Sequence, residues 1–374
     1  MRLRHVPTVR YATERGLPLR VLRDPATVVP RTPRAVPPVD RVDEPPREHF
    51  LPEAWWGQPL HTPEVYVAEL DDAILFGGSL GRASGGFHDG GHLLVTGDGA
   101  LLDDSFYVRG PRASLPRDLV ATGDDGHRLL ADVADAERVA GEHVLLGTLF
   151  PGHFGHCLTE GLGRAWHPRP EATYVVYEDA LASWQEPLLE ALGIERVLHV
   201  TRPMRFERLV VPSRACRLQR FMTPEMASTY GRIRDAHPRG PDRRVFLSRR
   251  AFTKRRRLVD EDVVEERFRA RGFRIVYPEQ LPFGEQVSLA RGADVLAGTS
   301  GSNMYLAGFL HPGARCVVVS PRRFTPVTDL LISTVTGTEL TYVFGEPIDD
   351  TGLSPRYADF AVDAELVEDV LDQL

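Results

Sequence analysis

At 374 residues the chain is long enough for two domains with full cores, and 42% hydrophobic content is ordinary for a globular protein that is neither fibrous nor disordered overall. A formal net charge of −7 argues against general nucleic-acid binding, which needs a basic footprint. Three scattered cysteines, Cys157, Cys216 and Cys316, give neither a disulfide framework nor a CxxC metal knuckle, so a reducing, cytoplasmic setting is expected. Lys254 is the sole lysine beside abundant Arg, Ala, Gly and Val, the mark of a high-GC bacterial coding bias.

The opening Met1-Arg-Leu-Arg-His-Val-Pro7 has no apolar h-region, and no run approaches the ~20 apolar residues of a membrane span. Secretion and membrane insertion are not expected; peripheral association through a partner stays open. Residues 1–60 are rich in Pro and charge. Pro30, Pro33, Pro37, Pro38, Pro45 and Pro46 follow too closely for a helix or a central strand, which predicts an extended arm anchored by Trp55 and Trp56. From Val65 to Phe106, Ala73-Ile-Leu-Phe76, His92-Leu-Leu-Val95 and Ala100-Leu-Leu102 read as hairpin strands, with Asp71-Asp72, Asp98-Gly99 and Asp103-Asp104 as turn residues.

From about 143 strands and helices alternate, the signature of a parallel sheet. Strands are expected at 143–146, 173–177, 197–200 and 209–211, with helices near 153–166, 180–192 and 223–236. Pro238-Arg-Gly-Pro241 reads as a linker, and strands at 244–247, 274–277, 294–297 and 315–319 follow. The organisation expected is an arm at 1–60, domains at 61–237 and 238–345, and a tail with an amphipathic helix at 346–374.

Three stretches carry candidate chemistry. In Leu145 to Trp166, a helix starting near His153 sets His153, His156 and Glu160 on one face, because positions three and four apart stack. A carboxylate orients an imidazole and raises its basicity, so His156 with Glu160 suits a general base. A metal site of H-x2-H-x3-E type, or histidines that merely cap a Gly-rich helix start, are the competing readings.

The second stretch is Arg243 to Leu258, where a short apolar strand ends in Ser248, Arg249 and Arg250. Ligands of open α/β sheets bind at that edge, and a guanidinium forks onto phosphate oxygens. The run Lys254 to Arg257 reads as a solvated face from which Lys254 could reach a diphosphate. Asp260 and Asp262 read as first-turn acids of the next helix in preference to a metal-binding DxD. In the third, Val295 to Gly313, a strand turns at Gly298, Ser300, Gly301, Ser302 and Asn303 into a helix. Small residues there let a phosphate approach main-chain N–H groups. The sequence matches neither GxGxxG nor GxxxxGK[ST], and an ordinary βαβ turn needs similar residues.

Gly155-His156-Cys-Leu-Thr-Glu160 with Arg164, Leu247-Ser-Arg-Arg250 with the acidic helix after it, and Gly298-Thr-Ser-Gly-Ser302 running to Phe309 and Pro312-Gly313 together resemble the motifs of glycosyltransferase family 61. That family includes proteins of bacterial capsular polysaccharide biosynthesis. The resemblance covers roughly residues 90 to 325. It departs from the pattern at Ser300, where many members carry His, and near Leu306, where many carry Asn. The resemblance implies an α/β, GT-B-like fold of two Rossmann-like domains facing a cleft, with the acceptor on the N-terminal domain and the donor on the C-terminal one. It also implies inverting transfer from a nucleotide diphosphate-sugar, a UDP-sugar first, to a hydroxyl of a glycan or other acceptor, with no metal or cofactor required. Two alternatives remain: a non-catalytic nucleotide- or glycan-binding protein, and a metal-dependent hydrolase using His153, His156 and Glu160.

Overall fold

A computed structural model describes residues 1–37, 57–76, 93–105, 119–124, 126–252, 256–322, 326–348 and 358–374. By its internal contacts the chain divides into two units, Met1–Ala26 with Pro63–Ala215, and Thr27–Thr62 with Cys216–Leu374. Trp55, Trp56, Lys254 and His92 lie outside the described residues, as do Pro38, Pro45 and Pro46.

The centre of the first unit is four parallel strands, β1 (Glu137–Gly147), β2 (Thr173–Val176), β3 (Arg196–His199) and β4 (Met204–Pro212), side by side in the order β3-β2-β1-β4. Leu145, Val175, Phe206, Leu209 and Val211 bury their side chains in one cluster, each contributing ~1.5–3 kcal/mol. Beyond β4 the sheet turns antiparallel: Val65–Phe76 pairs with β4, Leu93–Thr96 with Val65–Phe76, and Ala100–Leu102 with Leu93–Thr96. This is the hairpin structure expected of the N-terminal half.

Two features differ from expectation. Residues 1–23 are not an extended arm: Arg2–Val6 and Leu19–Arg23 are strands of this sheet, and Thr8–Arg15 is a helix that ends at Gly16 with φ of 64°. Only Leu3 and Val6 of the first strand are buried, so its apolar pattern is too thin to announce it; backbone pairing with Ala100–Leu102 and Gly126–Leu129 holds it instead. Asp71 and Asp72 are not a turn but lie within the strand Val65–Phe76, where Asp72 kinks the chain at φ of 61° and pairs with Arg205 of β4.

The second unit has five parallel strands, β5 (Arg244–Leu247), β6 (Arg274–Val276), β7 (Val295–Thr299), β8 (Arg315–Pro321) and β9 (Glu339–Pro347), in the order β6-β5-β7-β8-β9. They are nearly continuous apolar runs, as strands covered on both faces must be. Phe246, Ala297, Val317, Val319 and Val343 meet Val264 and Phe268 of the helix Glu261–Ala270 and Val367, Val370 and Leu371 of the helix Ala364–Leu371. The C-terminal amphipathic helix thus packs on its own unit. Between Pro33 and Pro37, Arg34–Val36 forms a three-residue strand beside β9, as close prolines permit at an edge.

Both strand orders contain one reversal of direction, between β1 and β4 in the first unit and between β5 and β7 in the second. Connections leave such a point on opposite faces of the sheet, which opens a crevice outside the strands' carboxyl ends.

Candidate functional site

In the second unit the reversal brings the end of β5 beside the end of β7, with Leu247 in register with Gly298. A Cβ on Gly298 would lie 2.6 Å from the Leu247 carbonyl oxygen and 2.7 Å from Met304 Sδ, so only glycine fits. Past this contact the two strands present Ser248, Arg249, Thr299 and Ser300 at one edge. The Arg249 Nη1 donates to the Ser300 carbonyl oxygen at 2.6 Å, and its guanidinium lies over the Phe252 ring at 5.0 Å. A Cβ on Gly301 would meet Arg249 Nε at 2.9 Å and Asn303 Oδ1 at 2.7 Å. Gly301 is the floor on which the guanidinium rests.

A buried carboxylate fixes this edge from behind. Glu261 accepts from the Arg249 backbone N–H at 2.8 Å and from the Thr299 hydroxyl at 2.6 Å, tying the ends of β5 and β7 to the first turn of the following helix. Burial pushes its carboxyl up from the usual range, against those hydrogen bonds. Burial likewise pulls the Arg249 guanidinium down, opposed by Glu261 and Glu279. A poorly hydrated guanidinium interacts strongly with an incoming anion because water screens it little.

Ser248 and Arg250 face elsewhere. The Ser248 hydroxyl donates to Glu265 at 2.7 Å, and Arg250, half-exposed, bonds the Tyr277 hydroxyl at 2.8 Å and lies 3.3 Å from Glu265. Ser302 opens the expected helix, which is a 3₁₀ helix, Ser302–Phe309; no side chain caps it. The first N–H groups of a helix have no partner inside it. Among the described residues, Ser300 Oγ and Asn303 Oδ1 are buried without a hydrogen-bond partner. Buried orphans of this kind call for an explanation, and a ligand is one.

In the first unit the segment after β1 carries the histidines. The expected helix over 153–166 is shorter and different in kind: one α-helical turn, Phe154–His156, runs into a π-helical turn, Cys157–Gly161, followed by irregular turns. π-turns are uncommon and gather at functional sites. The wider turn still brings His156 Nδ1 to 2.8 Å from Glu160 Oε2. The Glu160 side chain is 2% exposed and the His156 side chain 15%, so the carboxylate is covered and the imidazole is the reachable partner. The His153 ring stands edge-on to that of His156 at 6.0 Å. Among the described residues no group of three or more His, Cys, Asp or Glu could hold a metal ion, and this includes His153, His156 and Glu160. Burial pushes the Cys157 thiol up to about 12, which makes it inert as a nucleophile.

Arg164 belongs to the scaffold. Its guanidinium, 2% exposed, bonds Asp104 Oδ1 at 2.6 Å and the Pro212 carbonyl oxygen at the end of β4, while the Tyr66 hydroxyl donates to the other Asp104 oxygen at 2.5 Å. Burial raises the Asp104 carboxyl, but Arg164 and Tyr66 outweigh it and hold the group below its ordinary value. Sequence reasoning gives Asp104 only as a turn residue and assigns no role to Glu261 or Glu178; Glu261, as an acid in a helix's first turn, leaves a local signal and Glu178 leaves none.

Residues 154–318 match the family model described as Glycosyltransferase 61. The matched segment is glycosyltransferase family 61 sequence. It contains both His156 with Glu160 and the Arg249, Ser300 and Gly301 edge. The match over this segment implies glycosyltransferase activity in general, and with it a sugar donor and an acceptor. No curated protein matches the chain. No helix among the described residues is long and apolar enough to cross a membrane.

Proposed function

We propose that this family 61 protein is a GT-B-type, inverting and metal-independent transferase that moves a sugar from a nucleotide diphosphate-sugar, a UDP-sugar first, to a hydroxyl of a glycan or other acceptor. The single observation that carries the donor assignment is Arg249. Its half-desolvated guanidinium is held over Gly301 at the strand-order reversal of the second unit, beside the orphaned Ser300 Oγ and the start of a 3₁₀ helix.

In this reading the acceptor oxygen attacks the anomeric carbon while the bond from that carbon to the diphosphate oxygen breaks. The acceptor proton passes to His156 Nε2, the nitrogen opposite the Glu160 contact, and Glu160 stabilises the imidazolium that forms. Negative charge grows on the departing nucleoside diphosphate. Arg249 and the N–H groups near Gly301 to Asn303 receive it, and because they are already in place they lower the barrier without reorganising.

Thermal shift of the purified protein against UDP, GDP, CDP, ADP and dTDP, each with Mg²⁺ and with EDTA, tests the donor site. A ligand at 100 times its Kd adds ~2.7 kcal/mol to the folded state, enough for a rise of several degrees. A rise with one diphosphate that persists in EDTA supports the reading; no rise with any of them in folded protein overturns it.

A further inference from the structure

We propose that Glu178 is a positioning residue for His156, acting through the turn at Leu149 and Phe150; the inference rests on the reading of His156 as the base but is tested apart from it. The turn follows β1 and leads into the histidine segment. Phe150 sits there at φ of 52°, in the left-handed region that an aromatic residue rarely enters unless its surroundings hold it.

The surroundings account for every main-chain polar group of the two residues. Glu178 Oε1 accepts from the Leu149 N–H at 2.6 Å and from the Phe150 N–H at 3.0 Å. Gln185 Nε2 donates to the Leu149 carbonyl oxygen at 2.7 Å, and the His153 N–H donates to the Phe150 carbonyl oxygen at 2.9 Å. Two of these four bonds come from one carboxyl oxygen. The Phe150 ring then lies against the His156 ring, centroids 5.3 Å apart. Glu178 therefore fixes the dihedral angles of Phe150, and Phe150 supplies one wall for the imidazole.

The second oxygen of Glu178 has a different standing. Oε2 is buried with no hydrogen-bond partner among the described residues, so the side chain keeps only the contacts that shape the turn. The His199 Nδ1 approaches the Glu178 main-chain oxygen at 2.6 Å, which fixes the residue's backbone and not its carboxyl. An amide at this position keeps an oxygen able to accept both N–H bonds. Alanine keeps none, and aspartate is one methylene too short to reach both.

The test is a series, Glu178→Gln, Glu178→Asp and Glu178→Ala, read first by imidazole NMR of His156, assigned by loss of its signal in His156→Ala. The expected result is a displaced His156 resonance in Glu178→Ala, a smaller displacement in Glu178→Asp, and a near-native signal in Glu178→Gln. Where sugar transfer is measurable, kcat falls ~10²-fold in Glu178→Ala with donor affinity kept, the size expected of a small misplacement of a reacting group, and Glu178→Gln restores it. Should Glu178→Ala not fold, the Glu178→Asp and Glu178→Gln pair carries the same comparison. An unmoved His156 signal in Glu178→Ala, or in Glu178→Asp when that variant stands in, overturns the proposal. So does a displacement in Glu178→Gln as large as in Glu178→Ala. A displaced signal in a protein that turns over no donor keeps the positioning role and removes the transferase reading.

Discussion

Nδ1 of His156 lies 2.8 Å from Oε2 of Glu160, four residues on in the chain and across the junction of an α-helical and a π-helical turn. The contact fixes which imidazole nitrogen faces the carboxylate, and in the proposed reading the other takes the acceptor's proton. A base built in this way fails in two distinguishable steps. His156→Ala removes the proton acceptor and lowers kcat ~10²–10⁴-fold, whereas Glu160→Gln keeps the ring and loses less. Donor affinity, measured by calorimetry, stays within a few-fold of wild type in both.

Arg249 and Gly301 make a matched pair of predictions. If Arg249 faces the leaving diphosphate as proposed, Arg249→Ala removes the cation that receives its charge and costs on the order of 2.7–4 kcal/mol of transition-state stabilisation, or about 10²–10³ in kcat. Gly301→Ala reaches the same end indirectly, because its Cβ would stand 2.9 Å from Arg249 Nε and push the guanidinium aside. Steady-state kinetics with thermal melts separates the effects: the activity of Gly301→Ala falls while its stability holds. Gly298→Ala, whose Cβ meets main chain 2.6 Å away, loses stability as well, by ~1–3 kcal/mol.

The buried pair of Arg164 and Asp104 is a stability prediction. Arg164→Met leaves Asp104 buried without its cation and costs about 3–5 kcal/mol in urea unfolding. Asp104→Asn is milder, since the amide oxygen still accepts from Arg164 or Tyr66.

The sequence made eight of the nine parallel strands legible as apolar runs bounded by Gly, Pro or charge, and missed β9; β5 and β7 ended where expected to within two residues, which put Arg249 and Gly301 at a strand edge. Elements held by backbone pairing were less legible: Arg2–Val6 buries two side chains and pairs through main chain, and Asp72 is a kink whose ion-pair partner, Arg205, lies on the neighbouring strand. The π-turn has no local signature either. Glu178 and Glu261 act on residues 28–29 and 12–38 positions away, respectively, so no window of neighbouring sequence contains both ends of what they do.

Stability should depend on pH in a direction set by raised carboxyls. Burial pushes Glu178 and Asp329 up to about 7 from ordinary values of 4.5 and 3.8. Their folded forms hold a proton that their unfolded forms release, so the stabilisation is complete below about pH 4 and is lost as pH rises towards 7. The urea midpoint should fall across that window. The double variant Glu178→Gln with Asp329→Asn should flatten the slope; an unchanged slope would show that these groups titrate normally.

The most direct test of the account is release of nucleoside diphosphate from a panel of sugar nucleotides in EDTA, compared among wild type, Arg249→Ala and His156→Ala. The account predicts release from one sugar nucleotide by wild type, stimulated by acceptor, with both variants reduced at least 10²-fold and only Arg249→Ala impaired in donor binding. Release that requires a divalent metal, or that survives His156→Ala and Arg249→Ala unchanged, would contradict it.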